Sequence, residues 1–387
     1  MRRMIYLLLL VLTACSTPSQ LTITNSSEFP VSRIEAIDLA GTGFKKVRMG
    51  QYIHVRDSRG ENILSQLVDT NADSIADQLL IWVSIPAGSS VQYQVGTAGK
   101  PVTKQPDTRT YCRFVPERMD DFAWENDKVA FRVYGPKCEE LFEQGNPGGL
   151  ISSGIDCWLK RVDYPVIDKW YKKGESGGSY HHDDGEGLDN FHVGVSRGCG
   201  GTAIRSDGEF IYSRNFSEWQ ILANGPLRSV FKLKYKPVMV EGKPVIETKI
   251  FTIDKGDYFY RCDVEFESEL PIDTLAIGLT LHGNKGHADC SSDGWISYWE
   301  PIDDSEIGLG AFLHKVDLLG CTKAENAGRD MDHIWMFASP KGNKVTYYAG
   351  FGWKKSGQFP SGDAWIEYIK LQVSKLYSQA ITTSQFR

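Results

Sequence analysis

The residues best equipped for chemistry lie in one stretch, Tyr180-His181-His182-Asp183-Asp184-Gly185-Glu186-Gly187-Leu188-Asp189. Three of the eight histidines (181, 182 and 192) fall in it or beside it, with four carboxylates at 183, 184, 186 and 189. Imidazoles and carboxylates held close together supply acid–base groups near neutral pH, or metal ligands. The stretch has too many charges for a core strand and too much glycine for a helix interior. It reads as a functional loop that runs into a strand and then a glycine turn at 198–201. The competing reading is a solvated acidic loop. On an extended chain His181 and His182 point to opposite faces, and Asp184 and Glu186 share one.

A loop of this kind needs a frame, and the flanking sequence is a frame of strands. Between 21 and 98 short apolar runs at 21–24, 52–55, 79–83 and 91–95 are separated by Gly, Pro, Asn and Ser, the pattern of a small β-sandwich. Residues 96–107 have linker composition and mark a boundary. From 108 to 387 the strands are longer and alternate: Val129, Phe131 and Val133 against Arg132 and Tyr134; Phe231, Leu233 and Tyr235 against Lys232 and Lys234; Tyr258, Tyr260, Cys262, Val264 and Phe266 against Arg261, Asp263 and Glu265. Antiparallel strands with one wet face follow from this alternation. The expected fold is all-β, a small N-terminal β-sandwich followed by a large antiparallel supersandwich. One C-terminal helix carries Ile366, Ile369, Val373 and Leu376 on a face, with Asp363 as its cap.

The chain opens on Arg2-Arg3, a leucine-rich apolar run from Ile5 to Val11, and Leu12-Thr13-Ala14-Cys15. That run is too short to span a bilayer. The order resembles a bacterial lipoprotein signal over 1–14, with Cys15 as the lipidated residue and 15–20 as a tether. Ser16 after the cysteine points to an outer-membrane lipoprotein facing the periplasm, touching the membrane through lipid alone. An ordinary secretory signal is the alternative. The compartment permits disulfides, and the seven cysteines beyond Cys15 leave at least one unpaired. A formal charge of -6 argues against nucleic acid as a partner.

Beyond the loop, several residue sets suit a sugar. Arg132, Arg197 and Arg228 are candidate carboxylate binders. His282 leaves an apolar strand into a glycine loop, and Trp295, Tyr298 and Trp299 offer faces for stacking. Glu125 and Glu247 are further carboxylates within a glycosidase's repertoire. Asp69, Asn71, Asp73 and Asp77 alternate like the front of a calcium loop, but Ser74 stands where glycine is usual; an Asx-rich turn is the other reading. The chain has no Walker loop or H-E-x-x-H motif.

One ordered set of motifs is specific. Arg113-Phe114-Val115-Pro116-Glu117-Arg118, Trp124-Glu125-Asn126-Asp127, Phe131-Arg132-Val133-Tyr134-Gly135-Pro136, Ser153 to Arg161, the 180–189 loop and Asn224-Gly225-Pro226-Leu227-Arg228 together resemble the family described as domain of unknown function 4861. The resemblance covers nearly the whole mature chain. It implies a galactose-mutarotase-like β-supersandwich in a secreted or lipid-anchored protein, of a kind often found beside enzymes that degrade uronic-acid polysaccharides. It carries no established catalytic residues. The expected function is therefore a carbohydrate-active protein on acidic oligosaccharides, a lyase or a glycoside hydrolase. A lyase would use Arg132, Arg197 or Arg228 to neutralise the uronate, His181 or His282 as base, and Tyr180 or Tyr134 as acid. A hydrolase would use Glu186 with Asp184 or Asp189. A non-catalytic sugar-binding lipoprotein and a sugar epimerase or mutarotase are the alternatives.

Overall fold

The computed structural model describes residues 19–100, 107–325, 328, 330–377 and 382–386; Cys15 and the proposed signal lie outside them. Among the described residues the fold is all-β with three α-helices, α1 (Pro136–Glu143), α2 (Ile167–Glu175) and α3 (Gly362–Tyr377). Two packed β-structures follow one another along the chain.

The first is a small sandwich. One sheet contains Ser19–Asn25, Tyr52–Arg56, Asn62–Ile63 and Ser90–Ala98, and the other Val31–Asp38, Ser65–Val68 and Gln78–Ile85. Leu21, Ile23, Leu79, Ile81, Val83, Tyr93 and Val95 fill the space between them. Its edge is completed from the far end of the chain: Thr382–Phe386 pairs antiparallel with Ser19–Asn25. Nothing in the sequence pattern of the last residues announces that return.

The second is larger. A nine-stranded antiparallel sheet runs from Phe216–Asn224 through Arg228–Tyr235, Lys243–Asp254, Phe259–Ser268, Lys344–Trp353 and Ser305–Leu313 to Trp295–Ile302 and His287–Ser291, with Val238–Val240 as a side branch on Lys243–Asp254. Two five-stranded sheets contribute to the same core, one built on Asp121–Glu125, Ala130–Val133 and Asp156–Lys160, the other on Cys199–Ser206, Leu275–Thr280 and His333–Ala338. A parallel bridge between Ile155 and Gly198 joins the two. Gly200 permits close contact across the core, since a Cβ there would lie 2.4 Å from that of Ala349. The Tyr260 and Tyr347 hydroxyls donate at 2.7 Å to the carbonyls of Cys199 and Gly200. The alternation reads true here: Phe231, Leu233 and Tyr235, and Tyr258 to Phe266 at every second position, are buried.

Three expectations change. Arg132 and Tyr134 do not face water; both are buried, because α2 and the 180–189 loop cover that side of their strand. α3 anchors on Trp365 with Ile369 and Val373, and Ile366 is only partly buried. Its cap is Ser361, whose Oγ accepts from Ala364 N at 3.3 Å, the usual N-cap geometry, while Asp363 sits in the first turn. Cys290 and Cys321 form a disulfide, and the other five described cysteines are free and buried.

Candidate active site

The 180–189 loop is held from within. Asp183 Oδ1 accepts from Gly185 N and Gly187 N at 2.9 and 3.0 Å, the Asx geometry that aspartate favours in turns. Gly187 has φ 118°, and a Cβ there would lie 1.9 Å from Leu159 O, so only glycine lets Gly187–Leu188 pair with Asp156–Lys160. Tyr180 anchors the start of the loop, its ring packed against Trp158 and Tyr171 at 5.2 and 6.1 Å.

This anchoring brings the loop over a buried charge cluster. Arg132 lies at its centre. Its Nη2 donates to Asp156 Oδ2 at 2.5 Å and Asp189 Oδ2 at 3.2 Å, and Nη1 lies 3.9 Å from Asp121 Oδ2. All three carboxylates are buried. Burial disfavours their charged forms, and Asp121 and Asp156 also feel the charge of Asp189. Asp121 is pushed up to about 6, chiefly by burial. Asp156 is raised well above the carboxylate range, by burial first and then by Asp189; Asp189 is raised by burial, against the pull of Arg132. Burial thus shifts all three carboxyls toward their protonated forms, against the pull of Arg132.

One edge of the cluster is open. A cleft of about 400 Å³ is lined by Arg118, Arg132, Tyr134, His181, Asp189 and His192. His181 is exposed at its mouth. Its Nδ1 lies 2.5 Å from Asp189 O and 3.7 Å from Asp189 Oδ2. A carbonyl only accepts, so Nδ1 carries the hydrogen. Nε2 is left as the acceptor, with no hydrogen-bond partner among the described residues. An imidazole oriented in this way by one nitrogen and free at the other has the form of a general base. Tyr134 stands 5.4 Å over the Arg132 guanidinium, and burial raises its pKa, so it remains a phenol and a donor.

The other candidates lie elsewhere. His182, Asp184 and Glu186 line a separate cleft with Tyr164, Lys169 and Trp170. Burial pushes Glu186 up, but bonds from Lys169 and Tyr164 outweigh it and hold the carboxyl below its usual range. Asp184 is held low by Lys173. Both are thus ionised, and neither supplies the acid of a hydrolase. Glu125 is buried on the Lys160 ammonium at 2.8 Å and accepts from Val166 N and Ile167 N at the start of α2. Arg197 donates to Ser153 Oγ and Val195 O and stacks on Tyr212 at 4.5 Å. Burial lowers its pKa to about 10. Glu247 is buried on Thr202 and Ser213 hydroxyls. Arg228 forms two bonds to Asp254 at 2.5 and 2.6 Å, away from the cleft. The three arginines therefore form no row.

His282 flanks the cleft without joining it. Nδ1 meets the buried Glu300 at 2.5 Å and Nε2 meets His192 O at 2.5 Å. Both partners accept, so the ring donates twice as an imidazolium. Burial opposes that charge, but Glu300 outweighs it and raises the pKa. A doubly engaged ring positions residue 192 and is no free base. Trp295 and Tyr298 are core residues; the Tyr298 hydroxyl donates to Leu281 O at 2.6 Å. The oxygens of Asp69, Asn71 and Asp73 accept from backbone N–H groups of their own loop, and Asp77 accepts from Thr70. Among the described residues no three His, Cys, Asp or Glu are grouped to hold a metal ion.

Sequence reasoning missed Asp121, Asp156 and Arg118. Asp156 carried a usable signal: a charge opening the apolar run Cys157-Trp158-Leu159 needs a buried partner. Asp121 and Arg118 carried none beyond their place in the motif set.

Fold and site together define an all-β double-layered protein with a buried carboxylate cluster beneath an oriented histidine. The chain belongs to the family described as Domain of unknown function (DUF4861), whose model matches residues 23–380. It is 39% identical over 363 residues to uncharacterized protein P7 of Formosa agariphila, covering 92% of this chain and 91% of that one. A protein in the glycosyl hydrolase family 38 from Enterococcus faecalis shares the fold at a TM-score of 0.50 and 9% identity, with 96% of this chain covered. An alpha-mannosidase from the same organism gives a TM-score of 0.49 at 10% identity over 95% of this chain. The chain spans about half the length of these two structures, 47% and 46%.

Proposed function

We propose that this protein is a carbohydrate-active enzyme that cleaves a uronic-acid-containing oligosaccharide by β-elimination in the cleft under the 180–189 loop. The observation that carries the reading is the His181–Asp189 contact: an imidazole with Nδ1 fixed and Nε2 open, at the mouth of a cleft floored by Arg132. His181 Nε2 takes the proton from the carbon beside the sugar carboxylate. Arg118 and Arg132 face the carboxylate, whose charge grows as that C–H bond breaks. Tyr134 gives its proton to the leaving oxygen as the C–O bond breaks and the double bond forms. The Asp189 carboxylate 3.7 Å from Nδ1 stabilises the imidazolium that results. A fold shared with a glycosyl hydrolase family 38 protein supports a sugar as the first substrate to test.

Hydrolysis is the second reading, favoured by the raised pKa of Asp189, which would then be the acid. Mass spectrometry after incubation with a panel of uronic-acid oligosaccharides separates the two. Shorter products without added water support the lyase; products that have gained water move the reaction to Asp189. No mass change with any sugar overturns both. His181→Ala should lower turnover by about 10²–10⁴-fold, the usual worth of a general base.

A further inference from the structure

A further cavity, of about 460 Å³, shares no lining residue with either cleft and lies on the outer face of the nine-stranded sheet. Two bodies cover that face. The small sandwich sits on one part, where Val68 and Leu80 meet Ala223 and Leu227. α3 sits on another, where Trp365 stacks on Phe259 at 5.1 Å. The cavity is the gap between these covers. Its walls come from Asp69 and Thr70 on one side and Gln372 and Lys375 on the other.

The gap is built of a particular mixture. Tyr348 is only partly buried and lies flat on Phe312, with rings 4.8 Å apart and planes within 5°. Its hydroxyl has no hydrogen-bond partner among the described residues. Around it stand two in-plane ion pairs, Arg228–Asp254 at 2.5 Å and Arg261–Asp263 at 2.7 Å. Each presents donors and acceptors side by side. Asp257 and Lys375 face each other across the remaining edge; burial raises the first to about 7 and lowers the second. Each presents a polar group to the gap, an acceptor at Asp257 and a donor at Lys375. Four carboxylates (69, 254, 257 and 263) against three cations (228, 261 and 375) give no net attraction for an anion.

We propose that this groove is a saccharide-binding subsite for uncharged pyranose units, with Tyr348 as the stacking platform and Asp257 and Lys375 as partners for ring hydroxyls. An aromatic face takes the apolar side of a pyranose, and neighbouring donor–acceptor pairs match vicinal hydroxyls. Cavities of about 300–1,000 Å³ between packed units are the usual setting for small ligands. The proposal rests on the carbohydrate reading above, but not on the reaction assigned to the other cleft.

The test is titration calorimetry of the protein with uncharged xylo-, manno- and cello-oligosaccharides. At least one should give saturable heat. Tyr348→Ala should weaken it at least about tenfold, the scale of a lost aromatic contact. Asp257→Asn, which keeps the shape and removes the charge, serves as a second variant should Tyr348→Ala not fold. His181→Ala should bind as the unchanged protein does. Binding that survives both groove variants, or no binding by any uncharged sugar, overturns the subsite even where uronates are cleaved. Binding lost in the groove variants while no sugar is turned over keeps the subsite and overturns the lyase.

Discussion

At the scale of single residues, the two adjacent histidines show how one bond of backbone decides a role. His181 and His182 line different clefts, and only His181 lies over the buried carboxylates. His182→Ala should leave turnover within about twofold, whereas His181→Ala loses the effect of a general base, about 10²–10⁴-fold. Steady-state kinetics of the two variants on one substrate checks this. Asp121 makes a second prediction, with a sign. Its folded pKa of about 6 lies above the ordinary 3.8, so the folded state binds the proton more tightly than the unfolded chain. Its contribution to stability is complete below the unfolded value and is lost as pH rises through the folded one. Asp121→Asn should therefore narrow the fall in melting temperature between about pH 4 and pH 7. An unchanged fall would mean that Arg118 and Arg132 already keep Asp121 ionised. The Glu125–Lys160 pair gives a third. It is buried on both sides, so Lys160→Met leaves Glu125 alone in the interior and should destabilise by about 3–5 kcal/mol in denaturant titration.

Elements were legible where one face is wet and the other dry. The Arg228–Tyr235 and Phe259–Ser268 strands alternate cleanly because their outer residues reach solvent or the groove. The Ala130–Val133 strand misleads, because its second face is covered by elements that pattern alone did not reveal. α2 is one of them. Ile167, Trp170 and Tyr171 have helical spacing and are its buried residues, a signal short enough to be lost beside the glycines and lysines that follow. The loop itself was legible as a cluster of acids and imidazoles, but its clefts were not, since Glu186 and Asp189 turn to opposite sides of a glycine-closed turn. Gly187 is the hinge of that arrangement. Gly187→Ala meets both a positive φ and the Leu159 carbonyl, and should destabilise the loop by roughly 1–3 kcal/mol. Faster hydrogen exchange confined to residues 183–189, with turnover lowered alongside, is the expected result; unchanged exchange would show that the turn tolerates a Cβ.

Over the whole molecule, the small sandwich is joined to the large one by more than a linker. Gln66 reaches across and engages three backbone groups: its Oε1 accepts from Leu227 N and Arg228 N at 2.9 and 2.8 Å, and its Nε2 donates to Arg228 O at 2.7 Å. Gly225 makes room for it, since a Cβ there would lie 2.4 Å from Gln66 Cδ. The apolar patch of Val68, Leu80, Ala223 and Leu227 surrounds this fork and keeps water from replacing it. Gln66→Ala removes the side-chain acceptor of Leu227 N and Arg228 N, while Arg228 O keeps the Gly225 N–H at 3.3 Å. Each backbone group left dry and unpaired carries a penalty of about 1–3 kcal/mol, and only entry of water into the junction relieves it. Water can enter only where the two bodies part, so the variant should turn one calorimetric unfolding transition into two, with the small sandwich melting first. The same parting widens one wall of the groove, so the affinity for an uncharged saccharide should fall with it while Tyr348 stays in place. A single transition at the original temperature would place the coupling in the apolar patch, and Leu80→Ala would then be the variant that separates the two bodies.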